Sequence, residues 1–478
     1  MNQAQLLQSV IASLPEIVVI IGACILLIVG LFVPPGRRHL LGWAAIAVIL
    51  CAAALTFAIG GENAGAYSGM FVTDQFSRFF KGIFYIATAL TLLMSRGFIE
   101  IERINIGEYH ALLLFALSGM MIMASATDLL SIYVGLELMA LCTYVLTGFM
   151  RRERRSNEAA LKYVVLGAVA TGVFLYGVSL IYGLTGTTEL SAIAAATGQA
   201  RDPGILLAVA FIVAGLGFKI GAVPFHMWVP DIYEGAPTPI TAFMSVGPKA
   251  AGFAVILRVF LNPLVAVSEV GLVVAVIAVV TIALGSFVAL VQDNIKRLLA
   301  YSSIAHSGFA LLGIVAGGPD GIASVMLYLL IYTFMNIGIF AAIVVMRSEK
   351  VQGEAIEDFS GLARSHRALG LLMLLFLFAL AGIPPTAGFF AKFYILVALI
   401  DQGMVAIPVI AVLLSVVAAY FYIRIVMVIY MREPVAGTAP AFTPDLTLVL
   451  AIAAAGTVLI GLFPQWFLDL AQSSILQR

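Results

Sequence analysis

Long apolar runs separated by short polar loops follow one another along almost the whole chain. Each is close to the length of about 20 residues that an α-helix needs to cross the hydrocarbon of a bilayer. Strands of a membrane barrel would alternate apolar and polar positions, and these runs do not. We therefore predict an all-α, polytopic membrane protein of about fourteen transmembrane helices, with spans at 15–33, 40–60, 76–95, 110–126, 128–150, 159–183, 205–223, 238–261, 270–291, 298–316, 321–346, 368–400, 404–431 and 446–463.

Two of these segments contain prolines where a helix cannot continue. Pro224 ends the seventh segment, and Pro384-Pro385 interrupt the twelfth, which is too long for one straight crossing. A break at membrane depth is tolerated where it lines a cavity or is packed in protein, and its free helix ends carry partial charges. Both segments are therefore predicted to be broken helices.

The two breaks predict an internal repeat. The fragments GAVP (221–224) and AGIPP (381–385) lie in the seventh and twelfth segments, an odd number of segments apart. A five-segment unit repeated in tandem must be inverted in the membrane, as in alternating-access machines. We predict inverted repeats of segments 4–8 and 9–13, and hence four units at 1–109, 110–261, 262–432 and 433–478.

Composition excludes several other classes of protein. The chain is 62% hydrophobic and 10% charged, against about 25% charged in ordinary soluble domains. Its net charge is zero, so no nucleic-acid partner is indicated. Cys24, Cys51 and Cys142 lie in apolar segments without metal-ligand spacing, so we expect buried spectator thiols and no metal or redox centre in this chain.

The distribution of basic residues predicts an orientation. With the N-terminus outside, cytoplasmic loops and helix ends hold about fifteen Lys and Arg, against about four on the other side, Arg78, Lys81, Arg201 and Arg478. The polar start of the chain has no cleavable signal, so the first span is expected to be retained. We predict a multi-pass membrane protein with both termini on the outer side, which in a bacterium is the periplasm.

A few charges lie deep inside the segments. Glu137, Lys249 and Lys392 are about 13–16 Å from the nearer end of their segments, and Lys219 adjoins the first break. Each charge at a helix centre costs about 2.5–3.5 kcal/mol. An inert buried Glu–Lys pair is one explanation, but a single pair cannot account for the other lysines. Arg258 and Arg424, nearer to segment ends, are expected to snorkel to the surface.

These charges have the properties of a proton relay. Burial favours the neutral form of a lysine and a nearby carboxylate favours the charged form, so a moving carboxylate can switch the lysine. His226 beside the first break and His306 in the tenth segment can accept and donate protons near neutral pH, although a lone histidine is often only a hydrogen-bonded core residue. Lys162 lies about one turn inside the sixth segment.

Five stretches together resemble a known family. They look like the N subunit of bacterial respiratory complex I, the proton-translocating NADH:quinone oxidoreductase, which is one of its three antiporter-like membrane subunits. The resemblance covers nearly the whole chain and rests on FKIGAVPFHMWVPDIYEGAPTP (218–239), VGLELMALCTYVL (134–146), EAALKYVVLGA (158–168), DNIKRLLAYSSIAHSG (293–308) and AGIPPTAGFFAKFYI (381–395).

The resemblance implies a role for five of the charged residues. Glu137 matches the essential glutamate of the fifth segment, and Lys219 matches its partner lysine on the seventh. Lys162 matches a bridging lysine on the sixth segment, and Lys249 the central-axis lysine on the eighth. Lys392 matches the terminal residue on the twelfth, which is lysine in N subunits and glutamate in M subunits.

The resemblance also implies a function. The chain would carry protons from cytoplasm to periplasm as a subunit of a translocase, driven by quinone reduction elsewhere in the complex. NADH, FMN, iron–sulfur clusters and quinone would be bound by other subunits, and this chain has no GxGxxG after a strand that could bind NADH. Its partners would be the M-type antiporter-like subunit, the small membrane subunits and lipids.

Three alternatives remain open from the residues. A subunit of a stand-alone cation/proton antiporter would share the fold, although its large subunit typically extends beyond the fourteenth segment. An unrelated secondary transporter would need a substrate pocket at the breaks and has no use for a row of lysines. A structural scaffold would not carry buried charges at this cost.

Overall fold

The structure is a computed structural model of the 478-residue chain. It describes residues 3–34, 37–59, 64–102, 107–197, 202–261, 268–347, 353–434 and 440–475. Arg103, Arg201, Lys350 and Arg478, which enter the orientation prediction, lie outside these ranges, as does residue 262, where the second predicted repeat begins.

Within the described ranges the chain is almost entirely α-helical. A short antiparallel hairpin, β1 (Ala64–Ala66) and β2 (Phe71–Thr73), stands between the third and fourth helices. The helices in chain order are α1 Gln3–Ala12, α2 Leu14–Phe32, α3 His39–Ala58, α4 Gln75–Glu102, α5 Gly107–Ser125, α6 Leu129–Thr147, α7 Arg154–Thr185, α8 Leu190–Thr197, α9 Pro203–Ile220, α10 Trp228–Gly235, α11 Thr238–Leu261, α12 Ser268–Ala289, α13 Ile295–Ala316, α14 Gly318–Met346, α15 Leu362–Ser365, α16 Arg367–Ala381, α17 Ala387–Asp401, α18 Ala406–Met431, α19 Pro444–Leu462 and α20 Pro464–Ser473.

The predicted all-α, membrane-spanning fold is confirmed. In the described part of the chain, 13 helices are long and apolar enough to cross a membrane, and each overlaps a predicted segment. The remaining prediction, the twelfth segment, corresponds to the shorter helices α16 and α17. The seventh segment corresponds to α9 and is followed by the short helix α10. The seventh and twelfth segments are therefore both interrupted at the prolines that predicted their breaks.

Polar residues fix the ends of the helices that matter for the site. Asp128 caps α6 by accepting hydrogen bonds from two backbone amides of its first turn, and Asn294 caps α13 in the same way. Such caps satisfy N–H groups that have no partner within the helix. The polar residue before each apolar run thus sets where the run becomes helical.

A glycine ends the first half of each broken segment. Gly221 follows α9 with φ 72° and Gly382 follows α16 with φ 82°. This left-handed conformation is open to glycine because it lacks a Cβ. Pro224 and Pro385 follow these glycines at the same spacing, each after a cis peptide bond.

The most buried helices form a central row. The membrane window of α11 is fully buried, and those of α13 and α14 are mostly buried, whereas α2, α3, α7, α18 and α19 expose most of theirs. The outer helices carry apolar side chains on their outward faces. Polar groups on the buried faces of α11 and α13 are therefore enclosed by other helices.

One expectation about the charged residues is wrong. Arg258 does not snorkel: it is buried, its guanidinium lies 2.8 Å from Asp74, and it donates to the Ala124 carbonyl at 2.6 Å. These acceptors make a route to the surface unnecessary. Arg424 is half-buried and donates to the backbone carbonyls of the turn that follows α12. Lys81, counted among the basic residues of the outer side, is fully buried and pairs with Glu16 at 2.6 Å.

The thiols also depart from expectation. Cys24 and Cys51 are exposed on the outer surface of the chain, and only Cys142 is buried. The outer helices α2 and α3 bury one face only, so an apolar position on them need not be internal. Among the described residues no group of three or more His, Cys, Asp or Glu could hold a metal ion.

Candidate functional site

Glu137 and Lys219 lie near each other without touching. Lys219, in the last turn of α9, is buried, and its Nζ donates to the Tyr144 hydroxyl at 3.4 Å. Glu137 is half-buried and accepts a hydrogen bond from the Thr171 hydroxyl at 2.6 Å. Tyr144 follows Glu137 by two turns on the same face of α6, so the hydrogen bond of Lys219 is to the helix that carries Glu137.

The surroundings of Lys219 are aromatic. Its Nζ lies 5.6 Å from the ring centre of Tyr144 and 6.0 Å from that of Phe218. Trp228 stacks on Tyr163 and donates from its indole to the Phe218 carbonyl at 2.8 Å. Rings attract an ammonium group but accept no proton, so this setting leaves the lysine cationic or neutral according to the charges nearby.

Lys249 is linked to the end of α9 through two serines. Its Nζ donates to the Ser303 carbonyl at 2.7 Å and also to the Ser303 hydroxyl. Ser307 donates to the same carbonyl at 3.1 Å and to the Ile220 carbonyl at 2.7 Å. Ile220 is the residue after Lys219. A row of polar groups on α13 therefore joins Lys249 to the backbone at the end of α9, one residue from Lys219.

His306 lies farther along the same face of α13. Its Nδ1 is 2.6 Å from the Tyr328 hydroxyl, and its Nε2 is 3.2 Å from the Tyr422 hydroxyl. Both ring nitrogens thus have a hydroxyl partner, which an imidazole needs in order to accept a proton on one side and release it on the other.

Lys392 faces the second break. Its Nζ donates to the Ala381 carbonyl at 2.9 Å, at the free C-terminal end of α16, and lies 5.0 Å from the ring centre of Phe309. The C-terminal end of a helix carries partial negative charge, which favours a lysine there. A Cβ on Gly382 would lie 3.1 Å from the side chain of Lys392, so glycine also makes room for it.

Lys162 and His226 are not part of this buried row. Lys162 is 43% exposed and pairs with Glu158 at 2.9 Å and with Asp231 at 2.8 Å. Thr171, which holds Glu137, lies about 14 Å farther along α7. His226 is half-buried within the first break, and no hydrogen bond of the described residues joins it to one of the lysines.

Sequence reasoning missed the hydroxyl groups that form hydrogen bonds beside the buried lysines. The signal for part of them was present: Ser302, Ser303, His306 and Ser307 recur at helical spacing in an apolar segment, which places them on one face. Tyr144 had a weaker signal, its two-turn spacing from Glu137. Neither pattern states which partner lies opposite, because the partners come from other helices.

Comparisons with known proteins identify the family of the chain. Residues 126–418 match the family model described as NADH:quinone oxidoreductase/Mrp antiporter, transmembrane. The chain is 70% identical over 475 residues to NADH-quinone oxidoreductase subunit N 2 of Rhizobium meliloti strain 1021, with 99% of both chains covered. It is 44% identical over 486 residues to NADH-quinone oxidoreductase subunit N 1 of Koribacter versatilis strain Ellin345, covering 97% of this chain and 94% of that protein.

Solved structures share the fold. A chain of respiratory complex I from Thermus thermophilus with bound aureothin matches with a TM-score of 0.82 and 30% identity, over 95% of this chain and 98% of that one. A chain of the Mrp complex from Dietzia sp. DQ12-45-1b has the same TM-score at 21% identity, which shows likeness of fold alone. The chain belongs to the NADH:quinone oxidoreductase/Mrp antiporter family and, within it, to the N subunits of NADH-quinone oxidoreductase.

Proposed function

We propose that this chain is a proton-translocating membrane subunit of NADH:quinone oxidoreductase, moving protons from the cytoplasm to the periplasm. The observation that carries the proposal is the buried polar row at the centre of an apolar bundle. Lys219, Lys249 and Lys392 are each at most 7% exposed, and serine and histidine side chains of α13 lie between them. Such groups are costly in a membrane, so a function must maintain them.

The relay would begin at Lys219. A proton from the cytoplasmic side loads Lys219 while the charge of Glu137 favours its cationic form. It passes to Lys249 along Ser307 and Ser303, and on to Lys392 past His306. Water completes the gaps that no side chain closes. Quinone reduction in other subunits drives the cycle, and NADH, flavin and iron–sulfur centres belong to those subunits.

Lys162 and His226 have different places in this proposal. Lys162 is accessible and sits beside the carboxylate of Asp231, so it acts near the entrance and not as a direct bridge to Glu137. His226 lies in the first break, where movement of the helix ends would bring it toward Lys219. Both roles follow from position and from the ability of these groups to exchange protons.

The predicted inverted repeats are part of the proposal. The matching of Gly221 and Pro224 with Gly382 and Pro385 supports units at 110–261 and 262–432, flanked by 1–109 and 433–478. The lysine precedes the first break and follows the second, so Lys219 and Lys392 do not occupy equivalent positions of the two units. With this architecture and the bias of basic residues, both termini lie on the periplasmic side of a bacterial inner membrane.

The exposed face of α6 indicates that a partner subunit covers it. Glu137 is half-buried and lies between Val134 and Leu141, each 57% exposed. A carboxylate facing lipid would be unfavourable by about 2.5–3.5 kcal/mol. We infer that another membrane subunit of the complex, of the small or the M-type antiporter-like class, covers this face.

Purification in mild detergent tests the proposal against its alternatives. Co-elution of the chain with NADH-oxidising flavin and iron–sulfur subunits is expected. Elution with only cation/proton antiporter subunits would replace it with the stand-alone antiporter, and a free monomer that binds a small solute would replace it with a secondary transporter. Vesicles containing the purified complex should then take up protons when NADH is oxidised.

A further inference from the structure

The short helix α10 is held to α13 by two carboxylates. Asp231 and Glu234 lie one turn apart on α10, and Arg297 in the first turn of α13 donates from one nitrogen to both, at 2.9 Å each. This contact joins the second half of the first broken segment to a helix of the other predicted repeat. Among the described residues, no ion pair joins α9 or α10 to α11, the next helix of the same predicted repeat, as Arg297 joins α10 to α13.

The neighbouring lysine holds the backbone of α10. Lys296 donates to the carbonyls of Glu234 and Ala236, at 2.8 Å each, and pairs with Glu354 at 3.3 Å. These carbonyls are at the C-terminal end of α10, where helical partners run out and partial negative charge accumulates. Consecutive residues of α13 thus bind the side chains and the backbone end of the same short helix.

The same helix also contacts the first half of the broken segment. Ser307 donates to the Ile220 carbonyl, the last residue of α9. Ser307 lies ten residues after Arg297, about 15 Å along α13. Thus α13 spans the first break: it contacts the end of α9 before the break and α10 after the break. Between the two contacts it carries Ser303, which binds Lys249.

Asp231 is the shared point of this junction. One carboxylate oxygen accepts from Arg297 and the other from Lys162 of α7, at 2.8 Å. The side chains of Asp231, Lys162 and Arg297 are 36%, 43% and 32% exposed. Ion pairs exposed to this degree contribute little to stability. We therefore interpret the two ion pairs of Asp231 as fixing the orientation of α10 beside the break and not as stabilising the fold.

We propose that Asp231 is a positioning residue that makes α10 move together with α13. A displacement at the break beside Lys219 is thereby carried to Ser303 and His306, which contact the next stages of the relay. This inference rests on the proposed function for its effect on proton transfer. Whether α10 and α13 move together does not depend on that function and can be measured separately.

Hydrogen exchange of the whole complex tests the coupling. Asp231→Asn keeps the size of the side chain and removes its charge. Amide exchange should rise in 228–235 and, together with it, in 295–298, and Asp231→Glu should restore both. Glu357→Gln is the matched control, because it removes an exposed carboxylate paired with Arg432 at a distance from the break. Faster exchange in α10 alone, or equal exchange in the Asn and Glu variants, would overturn the coupling.

Proton uptake per NADH oxidised tests the positioning role. In vesicles, Asp231→Asn should lower this ratio, because a coupling contact between α10 and α13 is lost, and Asp231→Glu should recover it. A ratio unchanged in Asp231→Asn would reduce the contact to a structural one and overturn the proposal. If Lys219→Ala also leaves uptake unchanged, the proposed relay itself fails, and the exchange experiment still decides whether α10 and α13 move together.

Discussion

At the scale of single residues, Glu137 and Lys219 form no direct ion pair among the described residues, and each has a hydroxyl partner instead. The carboxylate is oriented by Thr171, and the ammonium group has one long hydrogen bond, to Tyr144. A direct ion pair would hold the lysine firmly cationic, whereas a charge acting through a short gap can be outweighed by another charge. The separation therefore suits a lysine that must release its proton in each cycle.

Replacing Glu137 by glutamine isolates the charge in this interaction. Glutamine keeps an oxygen that can accept from Thr171, so the local geometry is retained while the charge acting on Lys219 is lost. We expect NADH-driven turnover to fall clearly below that of the unmodified protein, because the charge that favours the protonated form of Lys219 is lost. Glu189→Gln, in the loop before α8, is the control and should behave like the unmodified protein. Equal effects of the two variants would mean that Glu137 is not the switch.

Replacing Lys219 by alanine removes the first proton carrier. Alanine cannot hold a proton, and among the described residues no other side chain makes a hydrogen bond to the Tyr144 hydroxyl. Proton uptake coupled to NADH oxidation in vesicles should be sharply reduced. Arg432→Ala, which removes an exposed positive charge, provides the comparison. Normal uptake in Lys219→Ala would take this residue out of the relay.

The lysines were predictable from the sequence and most of their partners were not. A lysine inside an apolar run is costly, so its presence already indicates a role. A hydroxyl is different, because serine and threonine often bond the carbonyl of their own preceding turn, as Thr88 and Thr91 do. Ser303 and Ser307 have the same local appearance, and only the packing of α11 and α9 against α13 distinguishes them.

At the scale of elements, the two breaks place a lysine differently. In the first, Lys219 belongs to the helix before the break and reaches sideways to α6. In the second, Lys392 belongs to α17 and reaches back to the Ala381 carbonyl of α16. That carbonyl lies at a helix end with no intrahelical donor. The prolines predicted where each helix ends. Which side chain binds the unpaired carbonyls at that helix end depends on the fold.

A glycine substitution tests the close contact at the second break. Gly382 and Gly403 both have positive φ, so alanine strains the backbone at either position by about 1 kcal/mol or more. Only at Gly382 would the new Cβ press on Lys392, since nothing lies within 4 Å of it at Gly403. Gly382→Ala should therefore lower proton uptake per NADH oxidised more than Gly403→Ala. Equal losses would show that strain alone is responsible.

At the scale of the whole molecule, a buried ion pair ties the N-terminal helices to the first predicted repeat. Asp74 precedes α4, and Arg258 is in the last turn of α11, 184 residues away in sequence. Both are nearly inaccessible, at 5% and 3% exposure. No periodicity relates residues so far apart, which is why Arg258 could be interpreted from sequence only as a side chain near a membrane surface.

Charge removal at Asp74 tests this connection. Asparagine can still accept the backbone hydrogen bond from Ser77 and begin α4, so Asp74→Asn removes only the charge that balances Arg258. Breaking a buried pair in this way costs about 3–5 kcal/mol. The fraction of assembled complex and its resistance to thermal unfolding in detergent should both fall. Glu357→Gln, at an exposed pair, should change stability by about 1 kcal/mol or less.

A double variant separates the charge from the packing at this junction. In Asp74→Asn with Arg258→Met, no charge is left buried, and methionine fills part of the space of the arginine stem. Replacing a buried pair by apolar residues is often neutral, but the Ala124 carbonyl would lose its donor at a cost of about 1–3 kcal/mol. Assembly should therefore recover part of the way from the single variant. A double variant less stable than Asp74→Asn alone would mean that Arg258 supports α11 mainly through its other contacts, and that the N-terminal helices are attached by packing.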